Sequence, residues 1–168
     1  IRNIVIDETC SVANRYTSEY NNQAHIGGII GYCKTNDGSC IIESCVSMAE
    51  VTFSGNTTDV SFTGGIAGLL VLIANNAVIR NCANYGSVSS TGTSTEGAYI
   101  GGIVGSPQRS TSPSSTSYVS VQNCANYGKI SFSGTTNILD IGGISGFSYY
   151  NNIDNCVSSG QVAVSSLH

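Results

Sequence analysis

Residues 100–105 read Ile-Gly-Gly-Ile-Val-Gly, and residues 122–128 read Gln-Asn-Cys-Ala-Asn-Tyr-Gly. The first block recurs as Gly-Gly-Ile-x-Gly at Gly27, Gly28 and Gly31, at Gly64, Gly65 and Gly68, at Gly101, Gly102 and Gly105, and at Gly142, Gly143 and Gly146. Its starts are 37, 37 and 41 residues apart. The second block recurs as apolar-x-apolar-x-x-Cys ending at Cys45, Cys82, Cys124 and Cys156, with a weaker copy ending at Cys10. Two blocks that keep one order along the whole chain mark an internal repeat.

Each repeat holds three strand-like pieces. Residues 77–81 and 119–123 form the first, and residues 87–89 and 129–132 the second. Both alternate apolar and polar side chains, the period of a half-buried strand. The glycine block, 99–105 in the best copy, is the third. Between the first two lies Asn-Cys-x-Asn-Tyr-Gly or a variant, and Asn and Gly suit a corner because they tolerate positive φ. One such coil cannot bury its apolar face alone, so copies must stack at the strand spacing of about 4.8 Å. The expected fold is all-β: a right-handed parallel β-solenoid (β-helix) of about four to five rungs of roughly 37 residues. The array occupies 1–168, with rungs near 1–26 (partial), 27–63, 64–100, 101–141 and 142–168. Ile79, Val88, Ile100, Ile103, Val121, Ile130, Ile141, Ile144 and Val162 are expected to form one continuous core.

Glycine weakens a strand, so its recurrence at one place in every unit points to close backbone approach or a special corner. The connection from glycine block to cysteine varies most, being long and Ser/Thr/Pro-rich over 106–117. In solenoids such insertions gather on one side, often the side that binds; equally, long surface loops are simply tolerated.

Only 10% of the residues are charged, against about 25% in ordinary domains. The net charge is −4, and the six cations are spread singly. Phosphate-backbone binding needs clustered cations, so nucleic acid is a poor partner for this chain. The longest apolar run, Leu69 to Ala74, is far too short to span a bilayer. The chain opens on Ile1 and reads as a mature form or a segment of a longer polypeptide. Neither end carries a polar cap, which leads us to expect a longer chain or end-to-end stacking.

The blocks resemble the GLUG-type repeats of bacterial and protist surface proteins. The residues that carry the resemblance are Ile100 to Gly105 with Asn123 to Ile130, and Ile141 to Gly146 with Asn155 to Val162. Glu43-Ser44-Cys45 and the Thr9 before Cys10 depart from the pattern. The resemblance implies an extracellular β-solenoid of the kind found in adhesins, in large surface proteins and beside IgA-peptidase-like domains. It brings no catalytic residues with it.

Of seven cysteines, Cys10, Cys45, Cys82, Cys124 and Cys156 fall one per rung. Side chains stacked in parallel bridge poorly, and no Cys-x-x-Cys pair offers a metal site, so small buried corner residues are the expected role. Cys33 and Cys40 flank the turn Asn36-Asp37-Gly38. They are expected to close a hairpin disulfide, as in an oxidising compartment, or else to be two surface thiols. Asn56-Thr57-Thr58 is a glycosylation sequon in a Ser/Thr/Asn-rich chain. His25 and His168 belong to no recognisable triad, and the carboxylates are scattered over different rungs. Tyr85 and Tyr127 occupy matching corners, where they could stack on sugars or serve only as surface residues.

The sequence therefore leads us to expect no enzyme, cofactor or metal. It points to an extracellular or cell-surface structural or adhesive segment. Its partner would be a protein or glycan, or a second copy end to end, with no membrane insertion. The alternatives are a passive spacer and a carbohydrate-active β-helix enzyme.

Overall fold

The chain turns sharply at the residue before each corner cysteine. Ser44, Asn81, Asn123 and Asn155 have φ of 55°, 55°, 51° and 49°, in the left-handed region. Asn enters that region more readily than most residues, and single residues there redirect a chain without a long loop. The computed structural model describes residues 1–17, 22–35, 39–73, 76–109 and 118–165. Among these residues every element is a strand, 24 in all, and every strand pairing is parallel.

The strands form six sheets, each taking strands from successive repeats in chain order. The first sheet contains Cys40–Glu43, Ala77–Arg80, Val119–Gln122 and Asn151–Asp154. The second contains Val5–Ile6, Val46–Ser47, Ala83–Asn84, Ala125–Asn126 and Val157–Ser158. The third contains Ser11–Asn14, Glu50–Phe53, Val88–Ser90, Ile130–Phe132 and Val162–Val164. The fourth is short: Asn56–Thr57, Thr93–Ser94 and Thr135–Thr136. The fifth contains Ala24–Gly27, Val60–Gly64, Gly97–Gly101 and Leu139–Gly142. The sixth contains Ile30–Thr35, Ala67–Leu72 and Val104–Arg109. Isolated bridges from Arg2 to Glu43, Thr17 to Asn56, Val104 to Ser145 and Gln108 to Tyr149 extend the first, fourth and sixth sheets.

A full unit thus has six strands where the sequence reading has three. The Asn-Cys-x-Asn segment is itself a two-residue strand between corners, and the glycine block is a bend between two strands. Two-residue strands are too short to show an alternation.

The register also moves one cysteine. Val5 pairs with Val46, which places Ile4 level with Cys45. Ser11 pairs with Glu50, which places Cys10 level with Ala49. Cys10 is exposed and lies outside the corner column. The first corner is marked instead by Asn3, with φ 56°.

Each glycine of the block faces a neighbour that leaves no room for a side chain. A Cβ on Gly27, Gly64, Gly101 or Gly142 would lie 2.0–2.2 Å from the carbonyl oxygen of Ile30, Ala67, Val104 or Ser145 across the bend. A Cβ on the middle glycine, Gly28, Gly65, Gly102 or Gly143, would lie 2.3–2.6 Å from Ser47, Asn84, Asn126 or Ser158 of the second sheet. The bend between the fifth and sixth sheets therefore reaches across the interior and touches the second sheet.

That contact divides the core. One compartment holds Ile42, Ile66, Leu70, Ile79, Ile103 and Val121, together with the corner cysteines. On the other side, Val88, Ile100, Ile130 and Phe132 form one cluster, and Ile26, Val51 and Phe53 another. The expected single core is thus in separate pieces. Toward the last unit it also opens: Ile141 and Ile144 are half-buried, although Ile100 and Ile103 at the same positions are fully buried. Val162 is 45% exposed.

Candidate functional site: an aromatic cleft

Along the fifth sheet, side chains alternate between the interior and the outer face. His25, Phe62 and Tyr99 occupy one outward column, because His25 pairs with Phe62 and Phe62 with Tyr99. On the sixth sheet Tyr32 pairs with Leu69, and Leu69 with Ser106. The tight glycine bend brings these two outer faces together.

The result is a chain of ring contacts that runs from unit to unit. Tyr32 stacks on His25 (centroids 4.8 Å apart), His25 on Phe62 (5.5 Å), Phe62 packs against Tyr99 (5.3 Å) and Tyr99 against Phe147 (5.2 Å). Phe147, Tyr149 and Tyr150 continue it. Phe62 is buried at the middle, whereas Tyr32 and Tyr150 are exposed at the two ends. Such contacts contribute about 0.5–1.5 kcal/mol each beyond area burial. The rings therefore form a second apolar seam outside the main core, with its exposed members at the ends. The residue two places before each glycine block is His25, Phe62, Tyr99 and then Asp140, so three aromatic rings in register carried a signal that the sequence reading missed.

His25 stands beside an open cavity of about 570 Å³ lined by Asn14, Tyr16, Gln23, Asn56 and Asp59. Its Nε2 pairs with the Gln23 amide oxygen at 3.2 Å. Burial lowers the imidazole pKa below the ordinary value, against a smaller opposing effect of Asp59. A neutral ring stacked between two aromatics suits packing. The sequon residue Asn56 is exposed in its strand, and the buried Thr57 hydroxyl donates to the Asn22 carbonyl. His168 and residues 110–117 of the long loop lie outside the described residues.

Tyr85 and Tyr127 are about half exposed and stack on each other at 4.8 Å and 16°. The stack covers one face of each ring. Beside them Arg80 pairs with Glu43, and Arg2 approaches Glu43 at 3.4 Å. The Arg80 hydrogen bond is the largest of the effects holding the Glu43 carboxyl below the usual range.

Cys45, Cys82, Cys124 and Cys156 form one column, and each thiol donates to the carbonyl two residues earlier at 3.2–3.3 Å. The same four carbonyls also accept a backbone N–H from the neighbouring unit, so the thiol is a second donor to each. Its contact with Cys82, and then burial, push the Cys124 thiol far above the ordinary range. All seven cysteines are unbridged in the structure. Cys33 and Cys40 nevertheless touch: their thiols are hydrogen-bonded, and burial with that contact pushes Cys40 up to about 12. In the next units the same positions hold Leu70 with Ala77 and Pro107 with Val119, which are core contacts. Among the described residues no group of three or more His, Cys, Asp or Glu side chains could hold a metal ion. No helix there is long and apolar enough to cross a membrane.

No family model matches the chain, and no curated protein matches it. Among solved structures it is similar to a protein from Bacteroides ovatus described as a putative immunoglobulin A1 protease, at 25% identity and a TM-score of 0.56. The match covers 86% of this chain and 40% of that one, so the chain spans less than half of its neighbour's length.

Proposed function

We propose that this chain is a GLUG-type β-solenoid segment of an extracellular surface protein, non-enzymatic, acting as a structural or adhesive rod. The observation that carries the reading is the register. Six parallel sheets gain a strand per repeat in chain order, and each strand is joined to the next of its sheet by a crossover that passes through the other sheets. A solenoid of this kind is stabilised by neighbouring units, and its length is set by their number. The similarity to part of a longer protein described as a putative immunoglobulin A1 protease is consistent with a segment of a larger surface protein of that kind. Its polar surface is made of hydroxyls and amides with few charges, which suits contact with a protein or a neutral glycan and disfavours nucleic acid.

Small-angle scattering of the isolated chain tests the rod, which should give an elongated particle whose axial length follows from the stacked units. A compact sphere would sink that reading. Incubation with immunoglobulin A1 tests the activity, and the heavy chain should remain intact; a specific cleavage product would make this segment an enzyme. Deleting residues 110–117 separates adhesion from spacing. Loss of surface binding with an unchanged scattering profile assigns the loop to a partner, and retained binding favours the spacer.

A further inference from the structure

The outer face of the second sheet carries a shallow dip in the two middle units. Ala83 and Ala125 stand outward, each between two buried neighbours: Cys82 and Asn84, Cys124 and Asn126. Ala83 pairs with Ala125, and the next residues of the column are Val46 on one side and Val157 on the other. Adjacent strands lie about 4.8 Å apart, so the two valine layers are about 14 Å apart with only methyl groups between them. The floor is therefore lower in the middle than at either limit.

Two residues before the alanines stand Asn81 and Asn123, and two residues after them Tyr85 and Tyr127; all four are exposed. Each pair is joined along the stack. The Asn123 Nδ2 donates to the Asn81 Oδ1 at 3.3 Å, and the tyrosine rings stack at 4.8 Å. The asparagines occupy the left-handed corners, with φ of 55° and 51°. Their mutual bond leaves one amide NH2 group and one amide oxygen without a further partner among the described residues. Behind the floor the wall is tied together, by the Asn84–Asn126 side-chain bond and by the bonds of the Cys82 and Cys124 thiols to backbone carbonyls. A site fixed in this way avoids part of the ordering cost of binding.

The chemistry of the dip narrows its ligand. None of these six outward residues is charged, and the neighbouring Arg80 and Glu43 pair with each other. A charged ligand finds no counter-ion there, and a wholly apolar one would cover the amide groups without pairing them. An extended peptide needs an open strand edge, whereas Ala83–Asn84 and Ala125–Asn126 are paired on both edges. A pyranose ring has both parts that fit: hydroxyls that donate and accept, and apolar C–H groups. The geometry points to a neutral glycan, a segment of disaccharide length seated on Ala83 and Ala125. Its hydroxyls pair with the amides of Asn81 and Asn123, and its C–H groups pack on the alanine methyls beside Tyr85 and Tyr127.

The inference rests on the adhesive reading above and names its partner class and seat. Neutral tetrasaccharides of glucose, mannose, galactose and N-acetylglucosamine are offered to the intact chain, alongside sialylated and sulfated tetrasaccharides and an unglycosylated Ser/Thr-rich peptide. Binding is followed by saturation-transfer NMR. At least one neutral tetrasaccharide should bind saturably. Ala83→Val combined with Ala125→Val fills the dip with the side chain that the same column already holds at Val46 and Val157, so the fold is kept. That variant should bind roughly tenfold or more weakly at an unchanged unfolding midpoint. Asn81→Gly combined with Asn123→Gly suits the corner φ, removes both amides and should weaken binding likewise. Three results would overturn the proposal: no neutral binding by a chain whose scattering is rod-like, preference for the charged set or the peptide, or parental binding by the valine variant. If the valine variant binds normally and deletion of 110–117 abolishes binding, adhesion stands and this seat does not.

Discussion

The Asn84 and Asn126 side chains are joined across neighbouring units, Nδ2 to Oδ1 at 2.9 Å, and both residues are fully buried. Each amide also donates to a backbone carbonyl two residues on, that of Gly86 at 2.8 Å or Gly128 at 3.0 Å. The pair closes a corner and receives the middle glycine of the bend, so it links the second sheet to the glycine block. In Asn126→Ala the Gly128 carbonyl loses this donor and the Asn84 amide loses an acceptor. Leaving a buried group unpaired costs about 1–3 kcal/mol, and the urea midpoint should fall accordingly. An unchanged midpoint would mean that water or a shifted side chain replaces the amide.

The corner conformation makes its own prediction. Asn123 has φ 51°, a region that costs a side-chain-bearing residue roughly 1–2 kcal/mol and glycine almost nothing. Asn123→Gly should leave stability nearly unchanged. Asn123→Val should lower it by about 1–2 kcal/mol or more, since a branched Cβ fits that region worst. Equal unfolding midpoints for the two variants would argue against the corner.

Glycines differ sharply in what surrounds them. A Cβ on Gly102 would lie 2.3 Å from the Asn126 Cγ, whereas on Gly97 the nearest atoms are those of the Tyr99 ring at 3.3 Å. Gly102→Ala is expected to cost about 3 kcal/mol or to block folding, because overpacking here displaces backbone and a buried amide. Gly97→Ala should be tolerated within about 1 kcal/mol, as the ring can shift slightly. Thermal unfolding of the two variants side by side checks this, and the idea fails if Gly97→Ala is the more damaging.

Thiol counting addresses Cys33 and Cys40. With glutathione disulfide as oxidant, exchange should form one Cys33–Cys40 bond and release two glutathione thiols, leaving five alkylatable cysteines in the denatured protein. The fully reduced chain should give seven. In the reduced protein Cys40 titrates near 12 against an ordinary value of 9.0. The folded state therefore holds that proton more tightly than the unfolded state does. Its contribution to stability is complete below pH 9 and is lost as the pH rises from there toward 12. Cys40→Ser should flatten the stability profile in that window, and a profile identical to that of the parent chain would remove Cys40 as its source.

By itself the sequence determined the repeat, the all-strand character and the places where the chain bends. Those properties follow from short-range chemistry repeated at a fixed spacing: alternating side chains, Asn before a corner, and glycine where nothing larger fits. The tertiary structure alone decided the rest. Cys10 leaves the corner column because register is a property of paired strands, and a motif match cannot see that Val5 faces Val46. The core divides because the glycine bend touches Ser47, Asn84, Asn126 and Ser158, residues 15–24 positions away along the chain. The aromatic cleft exists because two outward columns from different sheets face each other only after the bend has folded. Cys33 meets Cys40 at a position that holds Leu70 and Ala77 in the next unit, which shows the same core contact made by different chemistry.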